Sequence, residues 1–290
     1  VGSGTRLGFQ QHRPPVHLSP EAVREAVPLS RGRRELVGHA CASSGKWGKR
    51  MLGSAVRTLV VTGGSSGIGK EVASMFVGKG WAVHNVSRSP CAVEGVINHK
   101  ADLSQPSEAA DVGEAIAGAI GKHGGGLVSV VHSAAMHGDD SAAKFDADLM
   151  AKSFTLSVVS PGLLTSKILP LMKDGSSVIF IGSTLSEKAV AGRASYVTTK
   201  HAVVGLMRSY VQDLFGTGVH SAVVCPGFTD TPMLREAMAK SPGAEDFIKG
   251  FVSVKRLILA QEIASLVSFV AENPSMNGAV LHANGGQKET

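Results

Sequence analysis

Tyr196 and Lys200 stand four residues apart in a stretch with helical patterning, a spacing that projects both side chains from one face of a helix. An ammonium beside a phenol stabilises the tyrosinate, so a Tyr of ordinary pKa about 10 becomes a usable acid or base near neutrality. Taken alone, Tyr-x-x-x-Lys describes equally a surface Tyr beside a solvated Lys. A second device lies upstream: Leu59-Val60-Val61 runs into Thr62-Gly63-Gly64-Ser65-Ser66-Gly67-Ile68-Gly69 and then into a helical pattern. Strand, glycine loop and helix together make a phosphate cradle, because glycines let the backbone approach a pyrophosphate and the first free N–H groups of the helix point at the anion. The spacing Thr-Gly-x-x-x-Gly-x-Gly differs from the commoner Gly-x-Gly-x-x-Gly fingerprint, and in isolation it also reads as a surface turn.

The elements that must position these residues follow from the apolar pattern. Strands are expected at 57–62, 81–87, 95–99, 127–132, 176–183, 219–224 and 279–283, and helices near 67–79, 106–121, 146–172, 195–215 and 260–271. Short continuous apolar strands separated by helices, such as Val128-Ser129-Val130-Val131 and Val178-Ile179-Phe180-Ile181, are buried on both faces of a parallel sheet. The fold class is α/β, a doubly wound parallel sheet of the Rossmann type with about seven strands and helices on both faces. In this architecture the ligand crevice lies at the carboxyl ends of the strands. Ser183 follows the fifth strand, thirteen residues before Tyr196, and Pro226-Gly227-Phe228-Thr229-Asp230-Thr231 follows the sixth. The irregular stretch 226–255 is too long for a plain connection and is expected to be a lid. Met233, Leu234, Met238, Phe247 and Phe251 in it either line an apolar pocket or pack the lid on the body.

The glycine loop, Ser183, Tyr196, Lys200, Pro226-Gly227 and Thr231, as an ordered set, resemble the short-chain dehydrogenase/reductase family over about residues 57–287. The resemblance implies a nicotinamide-dependent carbonyl reductase or alcohol dehydrogenase acting on a small carbonyl or alcohol. By position, Ser183 would hydrogen-bond the substrate oxygen and Tyr196 would give or take its proton. Lys200 would hold the nicotinamide ribose and lower the Tyr196 pKa, and Thr231 would bind the nicotinamide carboxamide. Asp102, in Ala101-Asp102-Leu103, matches the family Asp beside the adenine ring; read locally it is equally a turn or cap aspartate ahead of Pro106. The tail from Gly278 to Gly285-Gly286 resembles the family's last strand, with Asn284 where Asp is usual. A homodimer or homotetramer built on the helices near 146–172 and 195–215 is also implied.

Two departures bear on the chemistry. Where the family reads Asn-Asn-Ala-Gly after the fourth strand, this chain has His132-Ser133-Ala134-Ala135, and a strand-end His such as His132 is more often packed than catalytic. Ser157 falls where the family places a catalytic Asn that keeps a kink in its helix, so the kink and the proton relay it supports are expected to be less firmly held. At the end of the second strand, Ser87 stands where an NAD enzyme carries an acid, and Arg88 follows. A guanidinium makes paired, charge-assisted hydrogen bonds to a phosphate. NADP(H) is therefore expected in preference to NAD(H), with Ser65 as a neutral partner of the 2′-phosphate; the bland alternative is a surface Arg on a turn before Pro90.

Composition narrows the classes. Residues 1–57 hold ten Lys/Arg against three Asp/Glu, whereas 58–290 hold 19 against 20. The expected domain is therefore nearly neutral, and no nucleic-acid partner is expected of it. Residues 1–56, with Arg13-Pro14-Pro15 and Arg31-Gly32-Arg33-Arg34, form a basic extension open to three readings: an organelle-targeting segment, a disordered arm, or sequence translated upstream of Met51. Residues 57–290 make the single catalytic domain. Cys41, Cys91 and Cys225 have neither disulfide-framework nor zinc spacing, which fits a reducing compartment and no metal. No apolar run reaches the roughly 18 residues a membrane span needs, so a cytoplasmic enzyme is expected. A dinucleotide-binding sensor without turnover is the competing class, but it has no need of Ser183, Tyr196 and Lys200 together.

Overall fold

The computed structural model describes residues 57–288; the expectations for residues 1–56 lie outside them. In chain order the elements are β1 (Thr58–Thr62), α1 (Gly67–Gly78), β2 (Ala82–Ser87), β3 (Val96–Lys100), α2 (Pro106–Gly121), β4 (Val128–His132), α3 (Ala147–Phe154) and α4 (Ser160–Ile168). There follow β5 (Ser177–Ile181), α5 (Ala194–Asp213), β6 (His220–Pro226), β7 (Thr229–Asp230), α6 (Pro232–Ala239), α7 (Ala244–Phe251), β8 (Ile258–Leu259), α8 (Ala260–Ala271) and β9 (Val280–Ala283). Seven strands form one parallel sheet in the order β3-β2-β1-β4-β5-β6-β9. Strand order reverses between β1 and β4, and that switch point opens the crevice.

Alternate residues of each strand feed opposite layers. Leu59 and Val61 pack with Val72, Phe76, Ile263 and Val267 of α1 and α8. Val60 turns the other way, to Val112, Ile116, Leu164 and Ile168 of α2 and α4. Because both faces are covered, β1, β4 and β5 are buried at every position, which is why they read as unbroken apolar runs.

The helix expected at 146–172 is broken. Between α3 and α4, Thr155–Val159 forms a π-helical turn, and Leu169–Leu171 a closing 3-10 turn. Pro161 has no N–H to give the carbonyl of Ser157, and its ring crowds that carbonyl, so the ladder widens here. The whole run Ala147–Leu171 is long and apolar enough to cross a membrane by length and composition, yet Leu164, Thr165 and Ile168 are buried in the fold. The stretch expected to be irregular, 226–255, contains two short helices and a strand. Thr231 caps α6, its Oγ1 accepting from Leu234 N at 3.3 Å, with Pro232 at the first helical position.

Candidate active site

Three chain segments bring the candidate catalytic groups to the carboxyl end of β5. Ser183 lies two residues past the strand and caps the short turn Thr184–Ser186, its Oγ accepting from Leu185 N at 3.1 Å. The Ser183 side chain also hydrogen-bonds Tyr196. α5 faces the sheet with Ser195, Thr199, Lys200, Val203 and Met207, so Lys200 is 3% exposed and is no solvated surface lysine. Its Nζ donates to the carbonyl of Ile181 at 2.8 Å and stands 5.5 Å from the centre of the Tyr196 ring.

Electrostatically the pocket departs from the expectation of a lowered Tyr196 pKa. Burial holds the Tyr196 hydroxyl above its ordinary range, and the Ser183 hydrogen bond only partly offsets this. Burial also pulls the Lys200 ammonium down to about 8. Tyr196 is thus a neutral phenol at pH 7, because desolvation outweighs the Ser183 hydrogen bond that favours its ionised form.

The glycine loop has the shape a pyrophosphate requires. A Cβ on Gly63 (φ 72°) would stand 2.9 Å from Ala134 Cα, and one on Gly69 would stand 2.4 Å from the Gly63 carbonyl oxygen. Gly67 (φ 54°) meets the Thr231 methyl at 3.2 Å by the same construction. Ser66 sits at the N-cap of α1 in extended conformation without a side-chain capping bond, and no acid occupies the first turn. Residues Gly67, Ile68 and Gly69 therefore offer their N–H groups, with the helix dipole, to an anion. Thr62 Oγ1 accepts from Ser133 N (3.0 Å) and Ala134 N (3.1 Å), tying β1 to the end of β4. A cleft of about 380 Å³ runs from Ser65, Ser66, Gly67 and Lys70 to Asp230, Pro232 and Gln261. These residues fit a dinucleotide.

The remaining candidate positions behave variously. His132 is buried, bonds Thr165 Oγ1 at 2.8 Å and stacks on Phe180, and burial lowers its pKa to about 3; its side chain is packing, turned into the helix layer. Ser157 is buried within the π turn, so the kink is present although Asn is not; Pro161 supplies what the expectation had assigned to Asn alone. Asp102 Oδ1 accepts from Ser104 N (3.0 Å) and Ser104 Oγ (2.8 Å), a turn aspartate. Those bonds, and then the nearby Arg88, hold its carboxyl below the usual range. The carbonyl of Leu103 accepts from Ser160 Oγ at 2.7 Å. Ser87 Oγ donates to the Ser89 carbonyl at 2.6 Å, while Arg88 is exposed. Gly227 fits closely against Asn284, where a Cβ would stand 2.8 Å from the Asn284 Cα. Asn284 Oδ1 accepts from Gly286 N at 3.1 Å, the turn-forming task an Asp would also perform. Phe228 contributes its carbonyl to Ile258 N at 2.9 Å. In the 226–255 stretch, Phe247 stacks on Phe251 with ring centres 5.7 Å apart; Phe247 is 68% exposed and Phe251 half-buried.

Sequence reasoning passed over three residues. Asn85, fully buried, accepts from Gly64 N through Oδ1 at 2.9 Å and donates to Asn98 Oδ1 at 2.9 Å, holding the glycine loop against β2. His137 stacks on Tyr196, with ring centres 4.5 Å apart. Asp140, also buried, binds Ser195. A polar Asn at the centre of β2 was the one available signal; the other two carried none.

Comparison with known proteins agrees with this arrangement. Residues 57–242 match the short chain dehydrogenase family. The chain is 27% identical over 234 residues to the 3-oxoacyl-[acyl-carrier-protein] reductase MabA of Mycobacterium tuberculosis, covering 79% of this chain and 92% of that one. It is 28% identical over 241 residues to the 3-oxoacyl-[acyl-carrier-protein] reductase of Mus musculus, covering 81% and 99%. A short chain dehydrogenase family protein from Francisella tularensis superposes with TM-score 0.72 at 25% identity, covering 80% of this chain and 98% of that one. With the glycine loop, the seven-stranded parallel sheet and the Ser–Tyr–Lys group in place, this chain belongs to the short-chain dehydrogenase/reductase family and is an NAD(P)-dependent oxidoreductase.

Proposed function

We propose that the protein reduces a small-molecule carbonyl to an alcohol with NADP(H), Tyr196 acting as the proton donor. The observation that carries this reading is the half-buried Tyr196, its hydroxyl hydrogen-bonded to Ser183 and its ring centre 5.5 Å from the Lys200 ammonium. When bound, the nicotinamide dinucleotide supplies the hydride. Gly67, Ile68 and Gly69 would hold its pyrophosphate, Thr231 its carboxamide and Lys200 its ribose, with Asp102, Leu103 and Ala134 along the adenosine side. Ser183 hydrogen-bonds the carbonyl oxygen as negative charge builds there. Tyr196 transfers its hydroxyl proton to that oxygen, and the tyrosinate left behind is stabilised by the Lys200 ammonium. The 3-oxoacyl reductases among the relatives support a ketone as the substrate class. A panel of ketones, aldehydes, quinones, steroids and 3-oxoacyl thioesters, assayed for oxidation of NADPH and NADH, tests the reading; absence of turnover across the panel counts against it.

Preference for NADP(H) is supported by Arg88, exposed and near Asp102, with no acid at Ser87 to repel a 2′-phosphate. Arg88→Ala is expected to raise KM for NADPH about tenfold, as the loss of a charged hydrogen bond would, and to leave KM for NADH unchanged. Equal losses with both cofactors would assign Arg88 to the turn alone.

Residues 57–290 are proposed as a single catalytic domain, in a cytoplasmic, reducing setting that suits the buried free thiols Cys91 and Cys225. Phe154 and Val159, 37% and 39% exposed on the outer side of the α3–α4 run, support a homodimer or homotetramer. A chain of residues 51–290 is expected to remain soluble and active and to scatter light as a dimer or tetramer; an inactive or monomeric product would refute one part or the other.

A further inference from the structure

We propose that Asp140 is a positioning residue for the catalytic tyrosine: it locks the loop after β4 to the first turn of α5 and thereby sets where the Tyr196 ring sits. This rests on the reading of Tyr196 as proton donor.

Asp140 is 3% exposed, and its neighbour in space, Ser195, is 1% exposed. Ser195 N donates to both carboxylate oxygens, at 2.9 and 3.2 Å, and Ser195 Oγ donates to Oδ2 at 2.5 Å. Every one of these bonds ends on the residue immediately before Tyr196. α5 brings no cap of its own, since Arg193 at the N-cap makes no side-chain capping bond. A carboxylate from 55 residues earlier in the chain takes that place, where both the free N–H group and the helix dipole favour a negative charge. The same hydrogen bonds keep Asp140 ionised well below neutral pH.

The backbone joins the two segments further. Asp140 N donates to the Gly192 carbonyl and Ala194 N to the Asp140 carbonyl, each at 3.3 Å. Arg193 reaches back across the seam, its Nη1 donating to the Gly138 carbonyl at 3.0 Å and pairing with Asp139. His137, at the head of the same loop, lies against the Tyr196 ring with centres 4.5 Å apart and planes 23° from parallel. One end of the latch thus holds the backbone just before Tyr196 and the other rests on its side chain. A helix start with unsatisfied N–H groups frays within its first turn, and Tyr196 lies in that turn. Fraying moves the phenol away from Ser183, and a displacement of about 1 Å costs about a hundredfold in rate.

The test uses the full chain and four variants, Asp140→Ala, Asp140→Asn, Ser195→Ala and Tyr196→Phe, with a carbonyl substrate taken from the panel. Turnover at saturating NADPH, the NADPH dissociation constant from fluorescence and the melting temperature are measured for each. Asp140→Ala is expected to lower kcat about ten- to a hundredfold while NADPH affinity stays within about threefold of the parent. Asp140→Asn, which keeps an acceptor for Ser195 N, recovers most of the loss, and Ser195→Ala, which removes one hydroxyl, falls between. Retention of kcat within about twofold in Asp140→Ala overturns the proposal whatever the melting temperature does. So does a parallel loss of kcat and NADPH affinity, which marks general loosening. Should Asp140→Ala fail to fold, Ser195→Ala decides alone: reduced kcat at unchanged NADPH affinity sustains the latch, and full kcat removes it. Tyr196→Phe separates the two readings. Turnover in that variant defeats the role of Tyr196 itself, whereas an inactive Tyr196→Phe beside a fully active Asp140→Ala defeats only the latch.

Discussion

Tyr196→Phe is expected to lower kcat by about two to four orders of magnitude, the range that a positioned proton donor contributes, while NADPH binds within a few fold of the parent. The reason lies in what the substitution removes. The ring stays, with the His137 stack and the Lys200 ammonium against it; only the hydroxyl that Ser183 bonds is lost. A hole the size of one oxygen in a pocket this well supported leaves the cofactor cradle, which lies at the glycine loop, unchanged. Steady-state assays with NADPH and any reducible ketone check the first half, and fluorescence titration checks the second. Near-parental turnover would remove Tyr196 from the chemistry.

Lys200→Ala is expected to damage both turnover and binding, because in the proposed reaction one ammonium would serve the ribose and the tyrosinate. Proton transfer accounts for about two to four orders of magnitude in rate, and the lost charged hydrogen bond for about ten- to a hundredfold in cofactor affinity. The joint loss distinguishes this variant from Tyr196→Phe. A pH signature accompanies it. Burial places the Lys200 pKa near 8 in the free enzyme, and kcat/KM reports groups of the free enzyme. As pH rises through about 8 the ammonium gives up its proton, the tyrosinate formed during reduction loses its nearest positive charge, and reductive kcat/KM falls. The sign follows from the direction of transfer: Tyr196 becomes negative in reduction, so a cation helps and a neutral amine does not. In Lys200→Ala this limb of the profile disappears. Should the limb persist in the variant, another group sets it.

Much of this enzyme was legible in one dimension because two of its devices are local. The glycine loop needs positive φ and close backbone approach at particular positions, and only glycine meets both; Gly63 and Gly67 carry φ of 72° and 54°. Strands buried on both faces must be apolar at every position, so β1, β4 and β5 announced themselves. Tyr196 and Lys200 share a helix face by spacing alone. Two expectations failed where a short-range feature was outweighed or overlooked. The helix at 146–172 read as continuous, but Pro161 withholds a donor from Ser157 and the ladder widens to a π turn. The 226–255 stretch read as irregular because its helices are only eight residues each, too short for a periodic pattern to stand out.

What the chain order could not determine was the electrostatic state of the site and the means of holding it. Proximity of an ammonium argued for a more acidic Tyr196, yet burial of both groups raises the phenol and weakens the lysine, and burial is a property of the folded surroundings. Asp140 and Ser195 stand 55 residues apart and meet only because β4 and β5 are neighbours in the sheet. Asn85 reaches the glycine loop because β2 lies beside β1 in register. Spacing along a helix or strand places residues by fixed periods, so motifs within one element are written in the sequence. Contacts between elements depend on which strands pair, and that order belongs to the packed sheet.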